Sequence, residues 1–534
     1  MIRQTLSAFC QRYRIVLIAL ANLLFVVGVV RLLPCCFETN DDVVMAWIAS
    51  GAYNGTPDAH LVFINILYGY LISGLYTLLP GVEWYSWAFL TFHVVSLTVL
   101  GHHLLQLQQK TFHRLAAMAL LYYLELRILL LLQFTTTSAY VATAALVAMT
   151  FGRKKEQVFG LLWFLLAAMI RFKSAMLTGL VFALFYPFLL SLRGFDRRTF
   201  VLLSLAVVLS FGLETVHVLA YRSHPQWKSY QIYNHNRANI NDNPNARVIY
   251  NRLPENVDVN DYILLRCFFA DTDIMTVEKL ESINEVLGHR RLTSKIRNIQ
   301  LMKKRWDQYK EILILAFLLT ITCGISNGKR GWWLLLPLLG VFFLLTGLSL
   351  NNCVKGRIVV TIYLMYMAMT VLLAKPFPFQ LQAVLLWMSV IFWSIDYHES
   401  LSPYDKRKIL DEQCARMALM PSGSVVCGWY AAIHSEYSDP LHVSSTFPIQ
   451  VKGKGWLAGS PFNEDIARYT DFIDTNKYIF CKRSDYAAAY TLLSRSMLDN
   501  YNKTVVCRPK VKDDLYVIFN FVEKDSTANP IQQP

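Results

Sequence analysis

The chain has 534 residues, of which 54% are hydrophobic and only 16% are charged, and its mean hydropathy is +0.35. This composition excludes a soluble globular protein of the same size, in which about 25% of residues are charged. The net charge of +14 does not indicate a nucleic-acid-binding protein, because most basic residues lie in short clusters between apolar runs. Repeated apolar runs of about 20 residues instead predict an all-α protein that crosses the membrane many times.

We predict eleven membrane-spanning helices from these runs. They lie near 13–33, 84–106, 115–132, 136–150, 157–172, 174–190, 199–221, 310–326, 332–350, 354–374 and 378–396. The first run is not a cleaved signal peptide, because it is long and no small-residue cleavage site follows it.

A twelfth apolar run, 60–80, decides which side of the membrane each loop faces. The basic residues near the start, such as Arg12 and Arg14, place the N-terminus in the cytoplasm. Basic clusters then recur between the later runs, at 110–114, 153–155, 193–198 and 329–330. All of these clusters face the cytoplasm only if 60–80 is a juxtamembrane helix that does not cross. Because cytoplasmic loops carry an excess of Lys and Arg, we expect this arrangement, with the C-terminus outside.

The segment that follows the first span carries the clearest sign of chemistry. Asp41 and Asp42 emerge at the membrane surface, and Asp58 and His60 follow them. Adjacent carboxylates near a low-dielectric region repel one another, so one is held protonated or paired with a cation. A general base or a metal ligand needs such an arrangement. The alternative is a solvated acidic loop.

Four cations occupy similar positions elsewhere in the chain. Arg171 and Lys173 separate two apolar runs with almost no polar spacer, and Lys355 and Arg357 stand just before another run. Basic groups at this depth are costly and usually face a cavity or a partner. The alternative is that they reach the interface as anchors. In the predicted orientation they share a face with the acidic pair, where they would suit a phosphate or diphosphate group.

A long loop, 222–309, lies on the same predicted face. Its first half contains asparagines, tyrosines, an aspartate and Arg237, which suit hydrogen bonding to a hydroxyl-rich ligand. Loops of this length in compact proteins are usually functional, although a lid that only packs is the alternative.

The composition becomes that of a soluble protein near residue 400, with short apolar runs separated by helix-like stretches. We therefore predict two domains. The first is a transmembrane domain over 1–396 with outer loops 34–83 and 222–309, and the second is a small extracytoplasmic α/β domain over 397–534.

The cysteines of the tail predict at least one disulfide. Cys414, Cys427, Cys481 and Cys507 form an even set in a compartment that permits such bonds. Cys414–Cys427 and Cys481–Cys507 are the first choices, because each pair closes a short loop. No pair of cysteines or histidines has zinc spacing and no glycine-rich phosphate loop occurs, so we assign no metal site. A divalent cation, Mg²⁺ or Mn²⁺, is the one cofactor left open.

The order of these motifs resembles the GT-C superfamily of polyprenyl-phosphate-dependent glycosyltransferases. More narrowly, the chain is similar to a bacterial family of polytopic membrane proteins found with surface-polysaccharide genes. The likeness covers about 35–375 and is carried by TNDDVVMAWIASGAYNGTPDAHLVFIN, QFTTTSAY and IRFKSAM. It implies Asp41 or Asp42 as the base on an acceptor hydroxyl. It also implies Arg171, Lys173 or Arg357 as ligands of the lipid phosphate, although Lys173 stands where an acidic or neutral residue is expected.

The resemblance implies a GT-C-like enzyme that transfers a sugar from a polyprenyl-phosphate donor to a glycan or lipid acceptor. The reaction would take place on the outer face of the bacterial inner membrane. Asp58, His60, Arg237 and Lys355 are further candidates for substrate binding. Two alternatives stay open, a polysaccharide polymerase or ligase and a transporter or flippase of lipid-linked glycans. The transporter is less favoured, because the sequence shows no internal repeat with broken helices.

Overall fold

The computed structural model describes residues 13–107, 111–243, 246, 249–288, 310–351, 355–373, 387 and 402–524. Its helices are α1 (Arg14–Leu32), α2 (Asn40–Ser50), α3 (Ile66–Leu78), α4 (Trp84–Leu107), α5 (Thr111–Leu130), α6 (Phe134–Phe151), α7 (Lys154–Arg193), α8 (Arg197–Arg222), α9 (Pro225–Asn241), α10 (Val259–Arg266), α11 (Val277–Gly288), α12 (Lys310–Ser326), α13 (Leu335–Asn351), α14 (Gly356–Leu373), α15 (Ser402–Met417) and α16 (Tyr486–Tyr501). Its strands are β1 (Cys36–Phe37), β2 (Leu131–Leu132), β3 (Val425–Gly428), β4 (Gln450–Lys452), β5 (Lys477–Lys482), β6 (Val505–Lys512) and β7 (Tyr516–Glu523).

Seven helices in the described part of the chain are long and apolar enough to cross a membrane. They are α1, α4, α6, α7, α8, α14 and the segment Gly328–Leu348, which contains most of α13. The protein is therefore a helical membrane protein. The predicted run at 115–132 forms α5, which is 20 residues long but carries Arg114, Glu125 and Arg127. The predicted span at 378–396 lies outside the described residues, apart from Trp387.

Helix α7 folds back on itself at Arg171. A straight helix of 40 residues would be about 60 Å long and would place its two ends far apart. Instead, the Arg193 guanidinium lies 4.3 Å from the ring centroid of Phe151, just before the start of α7. The backbone of Arg171 is extended, with φ −156° and ψ 97°. The two arms thus correspond to the predicted runs 157–172 and 174–190, joined by a turn at 171–173.

Helix α3 begins and ends at the same end of the bundle. Just before it, the Asn65 N–H donates to Met169 O (2.9 Å), next to the bend of α7. Near its other end, the Tyr76 hydroxyl accepts from the Tyr85 N–H (3.2 Å) at the start of α4. Thirteen residues also span only about 20 Å, less than the roughly 30 Å of a hydrocarbon core. Helix α3 is therefore shorter than both the predicted run 60–80 and a membrane span.

A glycine on α3 allows the close approach of the preceding loop. A Cβ atom at Gly69 would lie 2.0 Å from Ala59 O, whereas one at Gly74 would meet open space. We expect Gly69→Ala to lower the free energy of unfolding by about 1–3 kcal/mol through overpacking. The matched control Gly74→Ala should be neutral or slightly stabilising, because alanine is the better helix former. Thermal unfolding in detergent checks both, and equal melting temperatures for the two variants would contradict the close contact.

The C-terminal region forms a five-stranded sheet in the order β4-β3-β5-β7-β6. Strands β4, β3 and β5 are parallel, and β7 and β6 add antiparallel to them. This sheet confirms a small C-terminal domain that mixes helices and strands. The domain lies against the α2 end of the bundle, where the Trp47 indole N–H donates to Val443 O (2.8 Å) and the Ser444 hydroxyl to Glu83 (2.8 Å).

The long loop joins the C-terminal domain. Asp261 at α10 accepts from the Ser496 hydroxyl (2.6 Å) on α16, and Asp271 accepts from the Tyr469 N–H (2.7 Å). The loop and the tail thus form one layer over the α2 end. Residues 289–309, the last part of this predicted loop, lie outside the described residues.

The prediction of a disulfide in the tail is wrong. Cys414, Cys427, Cys481 and Cys507 are all free thiols. Cys481 and Cys507 lie on β5 and β6, which are separated by β7. Two such strands are about 9–10 Å apart, beyond the reach of a disulfide. Cys414 lies on α15 and donates to Thr446 O (3.4 Å), while Cys427 is buried in β3.

Candidate functional site

The two aspartates that follow the first span lie in the first turn of α2. The positive end of the helix dipole favours carboxylates at this position. Because successive helical residues point about 100° apart, the side chains of Asp41 and Asp42 enter different surroundings. The structure therefore separates two residues that the sequence left equivalent.

Asp42 is fully buried and connects three helices. Its Oδ1 accepts hydrogen bonds from the Tyr85 hydroxyl on α4 (2.9 Å) and from the Phe134 N–H at the start of α6 (2.9 Å). Its Oδ2 has no hydrogen-bond partner among the described residues. Burial raises the pKa of Asp42 well above its ordinary value, although both hydrogen bonds act in the opposite direction. Asp42 thus fixes α2 against α4 and α6.

We expect Asp42→Ala to cost about 1–3 kcal/mol in free energy of unfolding, because it leaves two buried donors without an acceptor. Asp42→Asn keeps the acceptor oxygen and should be at least as stable as the parent at pH 8. The folded-state pKa of Asp42 lies above its unfolded value, so the folded chain binds more protons between the two values. Its contribution to stability therefore falls as pH rises through that window.

Thermal unfolding at pH 5 and pH 8 checks this pair of variants. The melting temperature of Asp42→Asn should exceed that of the parent by more at pH 8 than at pH 5. If the alanine and asparagine variants melt together at both pH values, Asp42 does not hold the three helices.

Asp41 is partly exposed and faces a cation. Its Oδ2 lies 3.5 Å from Nη1 of Arg357, and the two side chains are 18% and 14% exposed. Arg357 is in the first turn of α14, directly after Gly356. The ion pair is long, so both groups keep the capacity to bind a ligand. The structure thus brings together two predicted site residues that are 316 positions apart in the chain.

Arg171 lies at the bend of α7, beside this ion pair. Its Nη1 donates to Phe63 O (3.1 Å), and its guanidinium lies 5.5 Å and 5.3 Å from the ring centroids of Phe63 and Phe134. Arg171 is within electrostatic range of both Asp41 and Arg357. Arg171 and Arg357 thus lie near the same carboxylate, Asp41. With Lys173 and Glu214 counted as well, three cations face two carboxylates, and this excess of positive charge favours an anionic ligand.

Lys173 is exposed on the same bend, and a residue that sequence analysis missed lies near it. Glu214 on α8 is half-buried and within electrostatic range of both Arg171 and Lys173. The available signal was a single carboxylate inside an apolar run, where charged residues are rare and usually functional. Glu214 balances part of the positive charge on the membrane side of the site.

Arg237 reaches the site from α9. It is buried, it donates to Asn234 Oδ1 through Nη2 (2.8 Å) and Nε (3.1 Å), and burial lowers its pKa. It also lies within electrostatic range of Asp41 and Asp242. Lys355 is half-exposed, with its Nζ 3.7 Å from Asp242 Oδ1. These two predicted residues lie on the loop side of the cluster, farther from the bend of α7.

Asp58 and His60 form a hydrogen-bonded pair in the segment before α3. The Nδ1 atom of His60 lies 2.7 Å from Asp58 Oδ1, and the His60 N–H donates to the same oxygen. Burial tends to raise the pKa of Asp58, but the hydrogen bonds from His60 prevail and lower it. The His60 ring stacks on Trp227 at 4.5 Å between centroids and an interplanar angle of 8°.

His217, which the sequence analysis did not single out, connects this pair to the arginines. Its Nδ1 accepts from the Ile66 N–H (3.1 Å), and it is within electrostatic range of both His60 and Arg171. It lies within an apolar run, 46 positions from Arg171 in the chain, so no local spacing revealed it. All the predicted site residues thus lie at one end of the bundle. One group surrounds Asp41, the other is the Asp58–His60 pair, and His217 lies between them.

The chemistry of this end of the bundle is acid–base and anion binding. Asp41 offers an accessible carboxylate, and Arg357 and Arg171 offer guanidinium groups that match phosphate oxygens. Among the described residues, no group of three or more His, Cys, Asp or Glu side chains is placed to hold a metal ion. We therefore assign no residue to the divalent cation that the sequence left open.

Comparison of the chain with protein-family models, curated proteins and solved structures returned no match, so the function is inferred from the chemistry of this site.

Proposed function

We propose that this protein is a membrane glycosyltransferase that takes a sugar from a polyprenyl-phosphate-linked donor and transfers it to a glycan or lipid acceptor. The observation that supports it most is the Asp41–Arg357 pair, with Arg171 beside it, at one end of an apolar helix bundle. A carboxylate next to cations at membrane depth is what sugar transfer from a lipid phosphate requires.

In the proposed reaction, Asp41 accepts the proton of an acceptor hydroxyl. The hydroxyl oxygen attacks the anomeric carbon of the donor and forms the new glycosidic bond. The bond between the anomeric carbon and the phosphate oxygen breaks, and its electron pair leaves with the lipid phosphate. Arg357 and Arg171 stabilise the charge that develops on this leaving group.

Asp41 is a better base than Asp42 for geometric reasons. A base must reach the proton that it removes, and Asp41 is partly exposed whereas Asp42 is fully buried. The Oδ1 of Asp42 already accepts two hydrogen bonds from the protein. We therefore assign catalysis to Asp41 and the positioning of α2 to Asp42.

The surroundings of the arginines suit a lipid-linked donor. Helix α8, which carries Glu214 and His217 near the site, also has an apolar outer surface. Phe211, Val216 and Leu219 on this helix are 55%, 44% and 60% exposed. In a bilayer such a surface contacts acyl chains, so a polyprenyl tail could lie along α8 while its phosphate reaches Arg171.

We place the site on the outer face of a bacterial inner membrane, with the N-terminus cytoplasmic and the C-terminal domain extracytoplasmic. Two exposed residues at opposite ends of the bundle test this orientation, Ser445 in the C-terminal domain and Arg330 before α13. In intact spheroplasts we expect an impermeant maleimide to label Ser445→Cys above the parent background and to leave Arg330→Cys unlabelled. Labelling of Arg330→Cys alone would reverse the orientation.

A transfer assay tests the proposed function. The full chain is reconstituted in liposomes with undecaprenyl-phosphate donors that carry glucose, N-acetylglucosamine, mannose or galactose, together with a bacterial envelope extract as acceptor. We expect at least one donor to release undecaprenyl phosphate, detected by mass spectrometry, faster than in liposomes without the protein. Failure to release it from any donor would contradict the proposal.

A further inference from the structure

Arg237 is a buried cation without a carboxylate bound to it. It lies on α9 and is 7% exposed. Its Nε and Nη2 atoms both donate to Asn234 Oδ1, a neutral amide oxygen, and it forms no ion pair among the described residues. A buried charge without a counterion costs free energy, so buried cations in proteins are normally paired. Arg237 therefore has the capacity to bind an anionic group from outside the chain.

The acidic residues nearby do not pair directly with Arg237. Asp242 and Asp41 are both within electrostatic range of it, but neither is hydrogen-bonded to it. The side chain of Asp242 is 67% exposed, and its Oδ1 lies 3.7 Å from Lys355 Nζ. Asp41 faces Arg357. Each of these carboxylates thus has another cation as its partner.

A neutral hydrogen-bond network holds Arg237 in place. Asn234 Nδ2 donates to the Tyr230 hydroxyl (3.3 Å), which donates to Trp456 O (2.9 Å) in the C-terminal domain. The network occupies the Nε edge of the guanidinium and leaves Nη1 without a hydrogen bond among the described residues. Nη1 is not an enclosed atom, as the Tyr233 hydroxyl is, so a ligand can reach it. A guanidinium that is held at one edge and open at the other is arranged to bind an oxyanion.

Arg237 and Arg171 approach Asp41 from different parts of the protein. Asp41 is within electrostatic range of each arginine. The charges that act on Arg171 are those of Arg357, Asp41 and Glu214, and Arg237 is not among them. Arg171 lies at the bend of a membrane helix, whereas α9 is joined to the C-terminal domain. The carboxylate of Asp41 therefore has one anion-binding position on the membrane side and another on the side of the C-terminal domain.

We propose that Arg237 binds an anionic group of the acceptor, and that the acceptor is an acidic glycan. The proposal rests on the glycosyltransferase function above and gives its second substrate a chemical class. An acceptor that places a hydroxyl at Asp41 extends away from the donor phosphate, toward α9 and the C-terminal domain. A carboxylate or a phosphate on this part of the glycan would reach Nη1 of Arg237.

The second phosphate of a diphosphate donor is the other anion to consider. In such a donor the sugar is attached to one phosphate and the lipid to the other. The additional phosphate therefore lies on the lipid side, nearer to Arg171 than to Arg237. The position of Arg237 favours the acceptor.

The experiment uses the full chain in nanodiscs of a zwitterionic lipid and two pairs of trisaccharide probes. One pair is α-1,4-trigalacturonate and its methyl ester, and the other is maltotriose with and without a 6-phosphate. Saturation-transfer NMR measures their binding. We expect at least one charged probe to bind more tightly than its neutral counterpart by about tenfold or more, the usual contribution of a hydrogen bond to a charged group. The pair with the larger ratio identifies the anion as a carboxylate or a phosphate.

Two variants test whether Arg237 causes this preference. Arg237→Gln removes the charge and should abolish the preference. Asn234→Asp removes no side chain but gives Arg237 a carboxylate partner, which neutralises the guanidinium and should also abolish it. Asn234→Asp should melt at the parent temperature or above, so that its loss of binding is not a loss of fold. Arg495→Gln is the matched control, because it removes the same charge from an exposed position on α16 and should leave the preference unchanged.

Three results would overturn the inference. The first is equal binding of the charged and neutral probes by the parent. The second is a preference that survives in Arg237→Gln, or in Asn234→Asp if Arg237→Gln does not fold. The third is a preference that is lost in Arg357→Gln but kept in Arg237→Gln, which would place the anion at the donor phosphate. If the preference depends on Arg237 but no donor is turned over, the acidic-glycan site stands and the transferase proposal fails.

Discussion

Replacing Asp41 with asparagine is expected to lower the rate of sugar transfer by about 10²–10⁴-fold, the usual contribution of a general base. The amide keeps the size of the carboxylate and can still accept a hydrogen bond from Arg357, but it cannot take up a proton. Because Asp41 is partly exposed and makes no buried network, the variant should melt close to the parent temperature. The measurement is the release of undecaprenyl phosphate under saturating donor.

Asp405→Asn is the matched control for this prediction, since Asp405 also lies in the first turn of a helix, α15, and is exposed. It should transfer at the parent rate. Asp42→Asn should lose less activity than Asp41→Asn, because it preserves the acceptor for Tyr85 and Phe134. An Asp41→Asn variant that transfers at the parent rate would show that Asp41 is only an ion-pair partner of Arg357 and not the base.

The second large effect is expected at Arg357. Arg357→Ala removes a guanidinium from the leaving phosphate, and a hydrogen bond to a charged group contributes about 1.5–3 kcal/mol, or roughly 10–150-fold. Arg357→Lys keeps the charge but loses the planar fork that binds two phosphate oxygens, so it should recover only part of the loss. The measurement is the affinity for undecaprenyl phosphate, followed by displacement of a fluorescent polyprenyl-phosphate analogue.

Arg330→Ala removes the same charge at the opposite end of the bundle, where Arg330 is exposed, and should leave this affinity unchanged. Arg171→Ala is less informative by itself. The Arg171 side chain also donates a hydrogen bond to Phe63 O, so replacing Arg171 perturbs the segment before α3. If Arg357→Ala binds the analogue as tightly as the parent does, Arg357 is an interfacial anchor and the phosphate lies elsewhere.

The apolar helices, and the convergence of the candidate site residues at one end of the bundle, could be predicted from the sequence because both depend on local patterns. An apolar run of about 20 residues is itself the signal of a span. The turn at Arg171 was visible as a charge between two such runs. The distribution of Lys and Arg predicts that the run at 60–80 does not cross the membrane. Polar residues placed just outside spans then converge on one end of the bundle, as they do here.

The remaining features depend on contacts between distant parts of the chain. Asp41 and Asp42 differ only because Tyr85 and Phe134 meet one of them and Arg357 meets the other. Glu214 and His217 reach the site because α8 returns to the end of the bundle where α7 bends. The disulfide prediction failed because sequence distance says nothing about strand order, which inserts β7 between Cys481 and Cys507.

The position of a bound lipid phosphate tests the central claim most directly. The full chain in nanodiscs, saturated with undecaprenyl phosphate, is examined by electron cryomicroscopy. The account predicts phosphate density within about 4 Å of the Arg357 guanidinium, on the side that faces Arg171 and Asp41, as charge-assisted hydrogen bonds require. Phosphate density at the opposite end of the bundle, beside the basic cluster at 153–155, or a structure without density near Arg357 at saturating lipid, would contradict it.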